Sequence, residues 1–476
     1  MNATTEGTKD TWLNMSWYGQ AEYNYKSRYY LQANLALDAS SRFGNDAVGL
    51  KIAGVPWGVF YGVQGSWVIS NESWFAGIKP INYLRLTAGY DVSGNDEVDY
   101  YAARSFFRAS KYLNSISGLA FDGIGNTEIQ WETTRRFNAG LETNLFNNRL
   151  NLSFNYFNST TSDLLTNQTL NILTGLKTNW ANGGELKNEG FDAAFNVKVL
   201  ALKDWQWQVG ASVGHYKNEI TDLPDNLEGK REIMTELYGA TVLTKIGESS
   251  NVFYGYETQG VFSTTEEAEA AGLYFLGENG TTKHFFGAGD MHFVDQNGDH
   301  EINETDRVII GNPNPDFYGN IHSSLTWKHL TLDVRFNYSL GNDVYNYMRS
   351  QLEGGNRFMN QTTAMVNRWQ MEGQQTNMPR ATFQDPMGNS RFSDRWIEDG
   401  SYLRLKSVTL SYDLPLTSEY LQGVQVWVQG NNLWTATKYL GSDPEFSTTS
   451  AIIGQGIDLG QMPQSASIVA GVKLNL

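Results

Sequence analysis

Apolar and polar residues alternate with a period of two along most of this chain. From His329 to Tyr338 the even positions are Leu330, Leu332, Val334, Phe336 and Tyr338, and the odd ones are His329, Thr331, Asp333, Arg335 and Asn337. Arg149–Asn158 repeats the pattern, with Leu150, Leu152, Phe154 and Tyr156 set against Arg149, Asn151, Ser153 and Asn155. In Trp205–Val213 the residues Trp205, Trp207, Val209, Ala211 and Val213 alternate with Gln206, Gln208, Gly210 and Ser212. Tyr29–Leu37, Phe137–Leu145, Val424–Asn431 and Ile468–Leu476 behave alike. Such alternation predicts strands with one apolar face. There are about fourteen of them, several near the length that a tilted membrane-spanning strand needs.

The spacing of these runs carries further information. Some are joined by minimal polar turns, as at Asn147-Asn148 and Trp327-Lys328, and others by long irregular stretches such as 222–248, 277–315 and 349–399. Short turns alternating with long loops is the arrangement of an outer-membrane barrel, whereas soluble sandwiches keep most connections short. One helical insert is expected at Glu266–Ala271, because Thr264 and Glu267 have capping-box spacing. No linker or repeat divides residues 1–476, which are taken as one domain.

Composition narrows the function classes. Lys and Arg number 35 and Asp and Glu 51, so the formal charge is 35 − 51 = −16. That balance opposes binding to a phosphate backbone, and no nucleic-acid partner is expected. The absence of cysteine excludes thiolate metal sites. No apolar run approaches the length of a membrane helix. Mean hydropathy is below zero, but alternating barrel strands average to near neutrality, so this does not argue against a membrane. The 14 Trp and 25 Tyr suit membrane interfaces, or stacking on sugar rings in loops. The opening residues Met1–Trp12 have neither a basic nor an apolar segment of a signal peptide. On pattern alone two readings stand: a membrane barrel, or a soluble secreted all-β protein such as a carbohydrate-binding module or glycosidase.

Several stretches resemble the SusC/RagA family of TonB-dependent transporters, in the family's order. Tyr30–Gly44 is similar to a strand ending in Arg-x-Asp-Gly-Ser-Ser-Arg-Phe, with Ala36 and Ala39 replacing the Arg and Gly. Leu84–Asp96, Ile129–Leu165 (with Trp131-Glu132-Thr133) and Phe293–Trp327 (an Asp-rich loop, then Gly311-Asn-Pro-Asn-Pro315) follow. Ser393–Pro415 and Gln429–Glu445 are the most specific. The resemblance implies an all-β, antiparallel outer-membrane transporter barrel that imports glycans or peptides. It further implies a SusD-like surface lipoprotein, the TonB complex, the barrel-assembly machinery and outer-membrane lipid as partners. The family's signal peptide, accessory domain, TonB box and plug find no match here, so the expected barrel is incomplete, with plug and first strands absent. Against the about 22 strands of large transporters, fourteen would be the carboxy-terminal part. The chain also departs from the family's terminal pattern, with Met462-Pro463-Gln464 where Tyr-Pro is usual and Leu476 in place of Phe.

Two candidate sites emerge. Gly471, Leu474 and Leu476 resemble the terminal-strand signal recognised by barrel-assembly machinery; one more alternating strand would look similar. Asp295, Asn297, Asp299, Glu301, Asn303 and Asp306 place oxygens at the spacing of a calcium loop. His300 occupies that loop's obligatory glycine position and no helices flank it, so the competing reading is a solvated loop of Asx-turns. No catalytic constellation is found. Ser212, within Gly210-x-Ser-x-Gly214, sits inside an alternating run and not the strand–turn–helix that a nucleophile elbow requires. Glu132 has no paired carboxylate at a glycosidase's separation, and the six histidines lack metal spacing.

Overall fold

The computed structural model describes residues 10–112, 116–176, 178–227, 229–415, 423–448 and 452–475. Two compact units result: 1–198 with 216–233 and 245–248, and 199–215 with 234–244 and 249–476.

The first unit is built on seven long strands: β1 (Asn14–Tyr25), β2 (Tyr29–Ser40), β3 (Val55–Val68), β4 (Ile81–Asn95), β5 (Glu132–Leu145), β6 (Leu150–Ser162) and β7 (Glu185–Ala201). Each pairs antiparallel with the next in the sequence. The second unit repeats this with residues 205–215 of β8 (Trp205–Asp222) and with β9 (Phe317–Trp327), β10 (Leu330–Leu340), β11 (Tyr402–Leu414), β12 (Gly423–Thr437) and β13 (Ser467–Asn475). The strands therefore fall where alternation placed them, and the fold is all-β and antiparallel. Several outrun their apolar pattern. β8, expected to end at Val213, continues through Lys217 to Asp222, because alternation is required only while one face meets an apolar medium.

Connections alternate as expected. In the first unit 26–28, 69–80 and 146–149 lie at one end of the strands, and 41–54, 96–131 and 163–184 at the other. In the second, 328–329 is minimal, whereas 341–401, 438–466 and most of 223–316 are long. The short turns need left-handed backbone. Asn147 and Asn148 adopt it at φ 57° and 60°, as short polar side chains readily do. Lys26 and Ser27 do so with less intrinsic aptitude, and the Asn24 side chain compensates by accepting the Ser27 N–H at 2.9 Å.

The predicted helix is present at Thr265–Ala271, capped by the Thr264 side chain on the Glu267 N–H. Its box is shifted: Glu267 returns to the N–H and hydroxyl of Ser263, not to Thr264. A second helix, Tyr347–Glu353, lies in a stretch expected to be irregular, with Asn346 as its cap. No helix among the described residues is long and apolar enough to cross a membrane.

Candidate functional site

Strand register carries the apolar residues into continuous rows. In the first unit Trp67, Leu86, Leu141, Phe154 and Ala193 are successive cross-strand partners over β3–β7. In the second, Trp207, Leu325, Leu332, Leu410, Val428 and Ala470 run across β8–β13. These rows are not covered. Phe154 is 45% exposed, Leu332 37%, Val472 64% and Leu474 57%, and Leu152, Val334 and Phe336 are half-buried. None of the seven belongs to any of the three buried hydrophobic clusters. A soluble sheet would hide such a face under a second layer, since exposed hydrocarbon costs about 25 cal/mol per Å². The opposite face carries Ser324, Asp333, Thr409 and Gln429 in register. One face suits lipid and the other suits water.

Aromatic rings mark the strand ends beside the short turns. Tyr29 stacks between Tyr25 and Trp67, with centroids 6.4 and 6.3 Å away. Their polar tips share one acceptor: the Tyr29 hydroxyl donates to Glu72 at 2.7 Å and the Trp67 indole N–H at 3.2 Å, with Arg28 adding a third donor at 3.0 Å. The Tyr29 hydrogen bond foremost holds the Glu72 carboxyl below its ordinary range. In the second unit Trp205 stacks on Trp327 at 5.8 Å. Apolar ring bodies with satisfied polar tips are the chemistry of a membrane interface.

At the other end of the second unit the long connections fold on each other. Ala240, Val242, Phe253, Tyr345, Trp396 and Ile457, from three connections, form one buried cluster. A second gathers Phe262, Phe286, Met291, Phe293 and Ile302. Arg391 lies over the rings of Phe293, Tyr256, Phe275 and Phe286 at 4.7–5.9 Å. Ion pairs on buried carboxylates join separate stretches. Asp290 accepts from Arg380 through two bonds of 2.8 Å, and Arg349 bridges Glu353 and Glu398 at 2.9 and 2.6 Å.

The motif blocks meet in space. Arg42 reaches the Asp96 carbonyl at 2.9 Å, and Arg136 forms a fork with Asp91 at 3.0 and 3.2 Å. Arg404, 3% exposed, donates to Thr435, Asp443 and Glu445, and Lys406 joins it on Glu445. A bulge sets up this cluster: Lys406 has no partner on β10, and the β11–β12 register shifts at the same place. The apolar phase moves there from Leu403 and Leu405 to Val408 and Leu410. A bulge re-aims side chains in this way.

Ser212 lies within β8, as expected, and its hydroxyl accepts from the Asn320 amide at 2.7 Å. Glu132 opens β5 and accepts the Leu165 N–H at 3.3 Å. Gly471 sits in β13 under the Trp427 ring, 2.6 Å from where a Cβ would stand, so no larger residue fits without moving the indole. Leu474 is in the same strand, and Leu476 lies outside the described residues.

In the Asp295–Asp306 loop the oxygens are turned on the loop's own backbone. Asp295 accepts from Gly298 and His300 at 2.7 and 2.8 Å, and Asp299 from Glu301 at 2.8 Å. Asp306, fully buried, accepts from Gln296 and Asn303. Asn297 donates to Asp299 and Thr305, and the Glu301 carboxylate accepts from Asn303. Among the described residues no group of three or more acidic or histidine side chains converges as metal ligands do. These bonds brace the loop's own backbone. A calorimetric calcium signal that is lost in Asp295→Ala plus Asp299→Ala would assign the loop to calcium, and a signal unchanged in that variant would remove the assignment.

Sequence reasoning missed a cavity of about 270 Å³ in the second unit, lined by Thr258, Gly260, Met291, Arg349, Asn377, Met378, Asp394 and Arg395. Burial, and then the neighbouring Arg349, lower the Arg395 guanidinium to about 10, and burial raises the Asp394 carboxyl. Only the Ser393–Pro415 motif block pointed to this region.

A family model described as TonB dependent receptor-like, beta-barrel matches residues 2–433. The chain is 30% identical to TonB-dependent receptor P3 of Formosa agariphila, over 97% of this chain and 45% of that protein. It is 25% identical to TonB-dependent receptor SusC of Bacteroides thetaiotaomicron, over 99% of this chain and 44% of that protein. A solved structure titled as the RagAB peptide transporter superposes with a TM-score of 0.80 at 26% identity, covering 97% of this chain and 48% of that one. The chain thus spans about half the length of the relatives it matches.

Proposed function

Because this chain belongs to the TonB-dependent receptor-like β-barrel family and resembles its SusC and RagA members, we propose that it supplies barrel strands to an outer-membrane importer of oligosaccharides or peptides. The carrying observation is the pair of uncovered apolar rows, bounded by stacked aromatics at one end of the strands and, in the second unit, by folded long connections at the other. In this reading lipid covers the rows and the polar faces line the path. The loop connections meet a SusD-like surface lipoprotein, and TonB drives opening through a plug supplied elsewhere in the full-length protein.

The experiment is done in the native bacterium with the full-length protein. Tagged transporter should fractionate with the outer membrane, co-purify with a SusD-like lipoprotein, and lose uptake of its oligomeric nutrient when TonB is deleted. Recovery in the soluble fraction, or uptake indifferent to TonB, would overturn the proposal.

The same reading makes Gly471, Leu474 and Leu476 the signal for barrel assembly. Leu474→Asp with Leu476→Asp should lower the heat-modifiable, assembled form severalfold on unheated gels; assembly at the unaltered level would remove the assignment.

A further inference from the structure

The cavity beside Trp396 holds a cation, Arg395, that makes no ion pair among the described residues. Arg395 stacks over the Trp396 ring at 4.2 Å. Its Nη2 donates to the Glu353 carbonyl at 3.1 Å and lies against the Met378 sulfur. Its Nη1 is shielded from water and has no hydrogen-bond partner among the described residues. A guanidinium carries five donors suited to a planar anion, and a buried donor left unpaired is costly, more so when charged. A thioether is a weak acceptor on a flexible stem, so the Met378 sulfur stands where an anionic oxygen would bind better.

The neighbouring charges are already spoken for. Arg349 is neutralised by Glu353 and Glu398. Asp394, the carboxylate on the cavity wall, accepts the Thr258 N–H at 3.2 Å and its hydroxyl at 2.7 Å. It can also take a donor from a ligand, and Asn377 on the same wall offers both a donor and an acceptor.

We propose that this cavity binds a carboxylate, held bidentately by Arg395 after Met378 swings aside, on a ligand with a hydrogen-bond donor next to its acid group. A peptide's carboxy terminus, with its adjoining amide N–H, and an acidic sugar, with its hydroxyls, share that chemistry. The proposal rests on the import reading and names the acid group that this site selects in the cargo.

Calorimetry on the purified full-length transporter tests it, with trialanine against trialanine amide and glucuronate against glucose as probes. In one pair or the other the acid should bind at least tenfold more tightly than its neutral analogue. Which pair does so identifies the source. Arg395→Gln should abolish the preference, and Arg395→Lys should keep part of it, which separates lost charge from lost folding. Equal or absent binding of acids and neutral analogues, or a preference that survives Arg395→Gln, would overturn the proposal. TonB-dependent uptake is measured separately, so either reading can fail alone.

Discussion

Val334→Arg should cost about 2–4 kcal/mol of barrel stability where it lies near the bilayer midplane, a loss of about 30- to 700-fold in folded over unfolded protein. Val334 pairs with Ser323 on one side and Val408 on the other, inside the apolar face that includes Leu332 and Leu410. An arginine there must sit in hydrocarbon or bend its guanidinium to the interface. Thr409→Arg introduces the same residue on the neighbouring strand. Thr409 pairs with Asp333 and Gln429 on the polar face, and its variant should assemble close to the native level. The comparison is read from denaturant titrations of the full-length protein in lipid vesicles. Equal costs at the two positions would deny the faces their different solvents.

Asp290→Ala should loosen the loop assembly and spare the strands. The Asp290 side chain is wholly inaccessible and accepts four bonds of 2.8–2.9 Å, from Arg380 twice, Asn389 and the Gly287 N–H. Arg380 is 39% exposed and can turn to water. Asn389 is buried and would keep an amide donor with no acceptor. The cost should therefore fall at about 3 kcal/mol, the lower end for a broken buried ion pair. Limited proteolysis within 341–401 and 277–315 should accelerate by at least tenfold, with strand content by circular dichroism unchanged. Proteolysis at the native rate would show that Asp290 does not hold these connections together.

Much of the fold was legible because a β-strand between two solvents must alternate. That rule located the strands of both units and even the short turns, where Asn147-Asn148 announce left-handed backbone. It was blind where both faces meet water or protein. The end of β8 beyond Val213, the short helix after Asn346 and the small sheets of the long connections carry no period-two signal. The bulge at Lys406 was visible only as a change of phase, from Leu405 to Val408, whose meaning needs the partner strands. Motif resemblance pointed to Arg404, Asp443 and Glu445 but not to their pairing, which is set by the way 438–466 folds back on β11. The Arg395 cavity was unreadable for the same reason: Thr258, Asn377 and Arg395 come from chain positions more than a hundred residues apart at the extremes, and no local pattern joins them.

The claim that the apolar rows face lipid is tested most directly by solvent accessibility, residue by residue. The chain contains no cysteine, so once any cysteine in the remainder of the full-length protein is replaced, a single nitroxide can be attached at any chosen position within these strands. Labels at positions 332, 334, 410 and 428 of the full-length protein in bilayers should relax with dissolved oxygen and ignore a water-soluble nickel chelate. Labels at 333, 409 and 429 should respond in the opposite sense, giving a period of two along β10. Accessibility that does not alternate, or apolar positions shielded from both reagents, would mean that protein and not lipid covers these strands.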